Sequence, residues 1–263
     1  MRVNPLARSG RNLWITVLGL YFFLPLVALA IFSLWAGGNR YDFSAYGFIL
    51  RDAQFHETFR LSALLALETI VISLALVIPA AFWVNLRAPG LRNLLGGLSV
   101  LSFVVPPIVL VGGLTALFHG PVLGPEWFVG TPQFLVAGYV VLALPYTYRT
   151  LDTGLRALDL QTLSEAAQSL GAGWGTLLTR IILPNISSAV LGAALLTFAI
   201  VLGEFTFANV LLFNTFAVYI NYIGQTQSTP AAALSLLSLG ITWLAMLALL
   251  RFGRGRVALG GAK

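Results

Sequence analysis

The 263-residue sequence contains no cysteine, which removes disulfides, thiolate nucleophiles and Cys-ligated metals in one step. Lysine occurs once, as the last residue, Lys263. A phosphate-gripping P-loop lysine and an internal Schiff-base lysine are therefore both missing, and any ATP must be bound by another chain. The two histidines, His56 and His119, lie far apart without HExxH-type spacing, and no Ser-His-Asp set can be placed. Neither an enzymatic activity, nor a metal, nor a cofactor is expected of this chain. Charge is scarce as well: 9% of residues are charged, fifteen basic against nine acidic for a net +6. The bases stand singly between apolar blocks and form no stripe to track phosphates, so nucleic-acid binding is excluded. What fills the sequence instead is 58% hydrophobic residues, which leaves too little polar surface to clothe a soluble globule. The composition is that of an all-α integral membrane protein in contact with lipid.

A spanning helix needs about 20 apolar residues, and six runs qualify: 13–35, 61–86, 94–118, 134–148, 188–213 and 232–250. The fourth is short and interrupted by Pro145. The first follows Arg2, Arg8 and Arg11 as a signal peptide would, but it is about twice the length of a signal core and reads as an uncleaved anchor. Pro79, the pair Pro106-Pro107 with Gly112-Gly113, Pro145 and Gly203 punctuate the spans, as in transporters whose helices are broken where neighbours or water re-satisfy the backbone. No fixed-period repeat, low-complexity tract or linker marks a second domain, so one integral domain is expected over 1–263.

The basic residues orient the spans. With a cytoplasmic N-terminus, one side collects Arg2, Arg8, Arg11, Arg87, Arg92, Arg149, Arg156, Arg180, Arg251, Arg254, Arg256 and Lys263, and the other keeps Arg40, Arg51 and Arg60. Twelve against three is a strong positive-inside bias, placing both termini and the long segment 150–186 in the cytoplasm.

That segment carries its own structure. Leu163, Ala166, Ala167 and Leu170 recur at helical spacing opposite Glu165, Gln168 and Ser169, and Gly171 stands where a C-terminal cap would stop the helix. Trp174, Leu177, Leu178, Ile181 and Ile182 give a second stripe that ends at Pro184. An ordered loop of this length in a small membrane protein reads as a binding surface, the competing reading being an amphipathic segment lying on lipid.

Glu165-Ala166-Ala167, then Gly171, Ile181 and Leu183-Pro184 at fixed spacing resemble the EAA signature of permease subunits of binding-protein-dependent ABC importers. The likeness extends more loosely over a core of about 58–250, with 13–35 as an added anchor, and is greatest to the polyamine, opine and phosphonate group; relatives of that group carry sulfate, molybdate, iron or thiamine. It implies a type I importer permease fold in a bacterial cytoplasmic membrane, with six transmembrane helices and a cytoplasmic coupling-helix loop. It also implies two ATP-binding subunits, a second permease subunit, identical or different, and an extracytoplasmic substrate-binding protein engaging the loops at 41–57, 119–132 and 214–230. On this resemblance Glu165 makes polar contacts near the ATPase, Ala166 and Ala167 permit close approach, and Gly171 supplies the bend.

Two acids fall inside expected spans, Glu68 and Glu204. A charge near the bilayer centre costs roughly 2.5–3.5 kcal/mol on insertion scales, so each is a functional candidate. Counted at 1.5 Å per residue from the outer span ends, both lie roughly 10–14 Å deep. At one level they would form an anionic collar for ammonium groups, with Asn209 a further polar contact, which points to a polyamine. Gly203-Glu204-Phe205 also resembles a segment of oxyanion permeases, so phosphonate or oxyanion import and a gating role for Glu204 stand as alternatives, with ion-coupled secondary transport as another.

Overall fold

The structure, a computed structural model, describes residues 5–119 and 126–257. Among them there is no strand, only an isolated bridge between Trp35 and Tyr41. Of the residues invoked above, Arg2, Lys263 and positions 120–125 lie outside the described residues, as do the side chains at 8, 11, 254 and 256.

In chain order the helices are α1 (Pro5–Ser33), α2 (Ser44–Arg51), α3 (Ala53–Arg87), α4 (Arg92–Val104), α5 (Pro107–His119), α6 (Gln133–Arg156) and α7 (Leu160–Ser169). The short α8 (Trp174–Thr176) runs into a π-helical stretch, Leu177–Ile182, and the equally short α9 (Leu183–Asn185). The long α10 (Ser187–Gly203), the short α11 (Thr206–Val210), α12 (Phe216–Thr226) and α13 (Ser228–Val257) complete the chain.

Five stretches are long and apolar enough to cross a membrane: Asn12–Ser33, Ala53–Arg87, Gln133–Arg156, Ser187–Val210 and Ser228–Leu247. The remaining expected span, the third, 94–118, is not one helix. It is divided into α4 and α5, bent by 106° at Val105-Pro106. Two consecutive prolines withdraw two amide donors, and a residue before proline is pushed out of the α region; Val105 accordingly has ψ 119°. Pro145, by contrast, sits inside an unbroken α6 that continues eight residues past the expected end at Tyr148, to Arg156. The fifth run also breaks, at Glu204, whose ψ of 116° separates α10 from α11.

Two compact units are distinguishable, one of residues up to His56 together with Tyr219–Ile241, the other of Glu57–Val218 with residues from Thr242 on. In the first, Ile49 and Ala45 of α2 are buried, Ser33 Oγ lies 2.7 Å from Tyr46 Oη, and Tyr219 donates a 2.5 Å hydrogen bond to Asp52. The second holds two cores. One gathers Leu65, Ala66, Val111, Leu135, Tyr139, Val201 and Phe207, and the other Val77, Ala81, Phe82, Leu151, Leu155, Leu177 and Ile182.

In the second unit α6 and α10 approach closely because their facing residues are small. A β-carbon on Gly154 would stand 2.5 Å from Ala189 Cβ, and at the neighbouring contact of α6 with α11 one on Gly138 would overlap the Phe207 ring. Between lipid-immersed helices, where apolar burial gives little drive to associate, such close backbone packing is what holds neighbours together. The Thr147 and Thr197 hydroxyls, 3.3 Å apart, add a buried polar tie across the same pair.

Candidate functional site

The segment expected to carry function is capped at both ends. Asp159 precedes α7 and accepts hydrogen bonds from the Thr162 amide at 3.2 Å and hydroxyl at 2.7 Å, satisfying an orphan donor of the first turn. These bonds, the hydroxyl's first, hold the Asp159 carboxyl below the usual carboxylate range. At the other end Gly171 has φ +83°, and its amide bonds Gln168 O while the Ala172 amide bonds Ala167 O, both at 2.9 Å. That is a Schellman cap, and it gives the bend a backbone conformation that a β-carbon penalises.

The buried face of α7 is not the one spacing suggested. Leu160, Ser164 and Ala167 are buried, whereas Ala166 is exposed and Leu170 is 89% exposed. The reason lies at the cap: Leu170 is the C-cap residue, already leaving the helical path, so the stripe shifts by one residue. Glu165, Ala166, Ser169 and Leu170 therefore form an outward face, small and partly apolar, with Gln161 bonding Glu165 at 3.1 Å.

After the bend, the second stripe forms a π turn instead of an α-helix. Leu177 and Ile182, five residues apart, are both fully buried, a separation that the wider π turn aligns. In α geometry the ring of Pro184 would strike the Arg180 carbonyl; Arg180 lies inside the widened turn. Ile181 and Leu183 are half-buried against the same core, and Pro184 is exposed. The segment is tied to α3 by more than this core: Trp174 packs on Trp83 with ring centroids 4.9 Å apart, and the Arg87 guanidinium lies 5.4 Å from the Trp174 ring.

The two intramembrane acids have different surroundings. Glu204 turns its carboxylate back onto α11, accepting from the Thr206 amide at 2.8 Å and the Phe207 amide at 3.0 Å. It is the cap of the helix that its own backbone break creates. Because α10 ends at Gly203, counting helical rise from position 213 no longer measures its depth. Glu68 makes no hydrogen bond or ion pair among the described residues and lines a cavity of about 460 Å³ with Ile72, Leu76, Phe128, Gln133, Val136, Ala137 and Val140.

The acids also address different sides of α6. Val136, Ala137 and Val140 face the Glu68 cavity, while Gly138 meets Phe207 and the buried Tyr139 hydroxyl lies beside Glu204 without hydrogen-bond geometry to it. At 3.6 residues per turn the two sets are roughly 150° apart. Asn209 is exposed next to the Glu204 break.

Sequence reasoning did not find the Asp159 cap, although Asp three residues before Thr is a cap signal, nor the π turn, which has none. It also missed Asp152, whose carboxylate joins three helix ends; an acid within reach of Arg156 one turn on was the only local hint.

Comparison with known proteins places this geometry. Residues 77–255 match the family model described as binding-protein-dependent transport system inner membrane component. The chain is 34% identical over 155 residues, 56% of its length and 68% of the relative's, to the molybdenum transport system permease protein ModB of Azotobacter vinelandii. It is 28% identical over 244 residues, 88% of its own length and 86% of the relative's, to the spermidine/putrescine transport system permease protein PotC of Haemophilus influenzae. A chain in the crystal structure of a bacterial alginate ABC transporter in complex with alginate pentasaccharide-bound periplasmic protein superposes with a TM-score of 0.71, at 17% identity, covering 95% of this chain and 96% of that one.

Proposed function

The chain belongs to the family of binding-protein-dependent transport system inner membrane components, the permeases of ABC importers, and from that premise we propose how it works and what it carries. The ion-coupled alternative falls with this membership. Two separate ATP-binding subunits dock on the cytoplasmic segment of this permease and of a second permease subunit. A binding protein delivers the solute from the opposite side, and both termini are cytoplasmic in a bacterial inner membrane. The supporting observation is the outward face Glu165-Ala166-Ser169-Leu170, held rigid between the Asp159 cap and the Gly171 bend and seated on the core that includes α3 and α6. Its small residues let a partner surface approach, and a capped helix loses little entropy on docking.

For the solute, the reading with most support is a small cation of the polyamine class. Glu68 is a carboxylate without a partner among the described residues, at membrane depth, beside Gln133 in an otherwise apolar cavity. Such an arrangement favours an ammonium group, and the spermidine/putrescine relative aligns along 88% of the chain. Glu204 shapes the path through the break it caps, with Asn209 exposed at its edge.

An oxyanion is the second reading, favoured because the Glu204 carboxylate is already occupied by backbone amides and by similarity to the molybdenum permease. Calorimetry on the binding protein that functions with this permease, with spermidine, putrescine and molybdate as ligands, decides between them. Uptake into vesicles by the assembled complex then tests Glu68: under the cation reading Glu68→Gln lowers polyamine transport roughly tenfold or more, about 1.4 kcal/mol. Molybdate binding, or unaltered polyamine uptake by Glu68→Gln, contradicts it.

A further inference from the structure

The Asp152 carboxylate, 14% exposed, lies on the Tyr148-Asp152-Arg156 face of α6 and is shared by three helices. Asn85, in the last turn of α3, donates to its Oδ1 at 2.9 Å while also bonding its own helix at Ala81 O. Arg92, the first residue of α4, donates to its Oδ2 at 3.0 Å. Arg156 stands 4.0 Å away, one turn further along α6, and the Tyr148 hydroxyl reaches Arg92 O at 3.5 Å. The acid thus has two cationic neighbours and a fixed amide donor where three helix ends converge.

Its position relative to its neighbours gives this cluster a consequence. Asp152 lies two turns before Asp159, where the coupling segment begins, and the adjacent Leu151 and Leu155 belong to the same core as Leu160, Ala167, Leu177 and Ile182. On the other side, α4 leads into the bend at Val105-Pro106. Between α3 and α4 the chain makes only a single turn of 3-10 helix, Pro89–Leu91, and its Gly90 has nothing near the position of a β-carbon. That connection alone would not hold α4 to α3; α4 is otherwise placed by its packing on α6, where a β-carbon on Gly96 would lie 3.9 Å from Tyr148 Cε1.

We propose that Asp152 is a positioning residue, a clamp that makes the ends of α3, α4 and α6 move as one body, so that displacement of the coupling segment reaches the bent pair α4–α5. This rests on the coupling role assigned above. Charge-assisted bonds from Arg92 and a neutral bond from Asn85 in a part-buried place suit a clamp, because they are strong, directional and tie elements distant in sequence.

The test uses the permease assembled with its ATP-binding and second permease subunits, and needs no knowledge of the solute. The native chain has no thiols, so a single cysteine at Val104, 70% exposed at the end of α4, reports movement of the bend. Its maleimide labelling rate is measured with and without ATP and vanadate, alongside ATP hydrolysis by the same preparation. With Asp152 intact, the nucleotide changes labelling about fivefold or more; Asp152→Asn reduces that response to under about twofold while hydrolysis stays within about twofold, a split that lost folding does not produce. Arg92→Gln, which cuts the same bond from the other end, must reproduce it. Asp152→Glu, which keeps the charge on the same helix face, must restore most of the response. A full labelling response in Asp152→Asn, or loss of hydrolysis together with the response in both single variants, overturns the clamp. Absence of any nucleotide effect with Asp152 intact overturns the coupling reading beneath it and is recognisable as such.

Discussion

Glu204 shows how one side chain serves the backbone it interrupts. An intramembrane carboxylate is costly, and accepting from two amides offsets part of that cost while fixing the start of α11. A glutamine keeps an acceptor oxygen in the same place, whereas alanine leaves the amides unpaired at about 0.5–2 kcal/mol. Glu204→Gln is therefore expected to transport at close to the native rate and Glu204→Ala to be impaired and less stable, as vesicle uptake and thermal unfolding in detergent will show. Equal loss in both would mean that the charge itself matters and revive the two-acid collar. The glycines of the second unit make a sharper contrast. Gly138→Ala drives a methyl into the Phe207 ring and is expected to destabilise by about 1–3 kcal/mol. Gly192→Ala meets Thr150 Cγ2 at 3.4 Å and is expected to cost nothing, since alanine is the better helix former by about 1 kcal/mol. Parallel melting curves check both.

At the scale of elements, the coupling segment depends on its caps. The Asp159 carboxyl titrates below its ordinary value of 3.8, so its contribution to α7 is complete above that value and is lost as pH falls through the lower folded value. Hydrogen–deuterium exchange of peptide 160–170, corrected for intrinsic rate, is expected to show protection that is flat from neutral pH to about 5 and weakened at neutral pH by Asp159→Ala. At the far end Gly171→Val places a branched residue at φ +83° and is expected to reduce ATPase association or uncouple it, read by co-purification and uptake; full transport by this variant contradicts the assigned bend. Gly171 was legible in the sequence because glycine after a periodic helix has one common use. The spans were legible as apolar runs, and the proline pair announced a break without its 106° angle, which depends on what α4 and α5 pack against. The face of α7 was not legible, because Leu170 leaves the helical path at the cap, nor was the π turn, which follows from the burial of Leu177 and Ile182; periodicity assumes a regular helix throughout. Nor were the different sides taken by Glu68 and Glu204, since span-depth arithmetic carries no azimuth.

For the whole molecule, orientation rests on twelve basic residues against three. Cysteine labelling tests it on a chain without thiols: a cysteine at Ser169 is expected to react only with reagents that cross the membrane, and one at Asn39 with impermeant reagents from outside. Reversed accessibility at either position contradicts the span order. An ordered, capped segment between the fourth and fifth spans, a broken third span and a fifth span capped at its own break are what the proposed ATP-driven mechanism calls for. The most direct test is uptake by proteoliposomes containing this permease with its ATP-binding subunits, second permease subunit and binding protein, energised by either ATP or an ion gradient. Accumulation that requires both ATP and the binding protein, and that Gly171→Val abolishes while ATP binding persists, is the predicted result. Accumulation driven by the ion gradient in the absence of ATP would contradict the account.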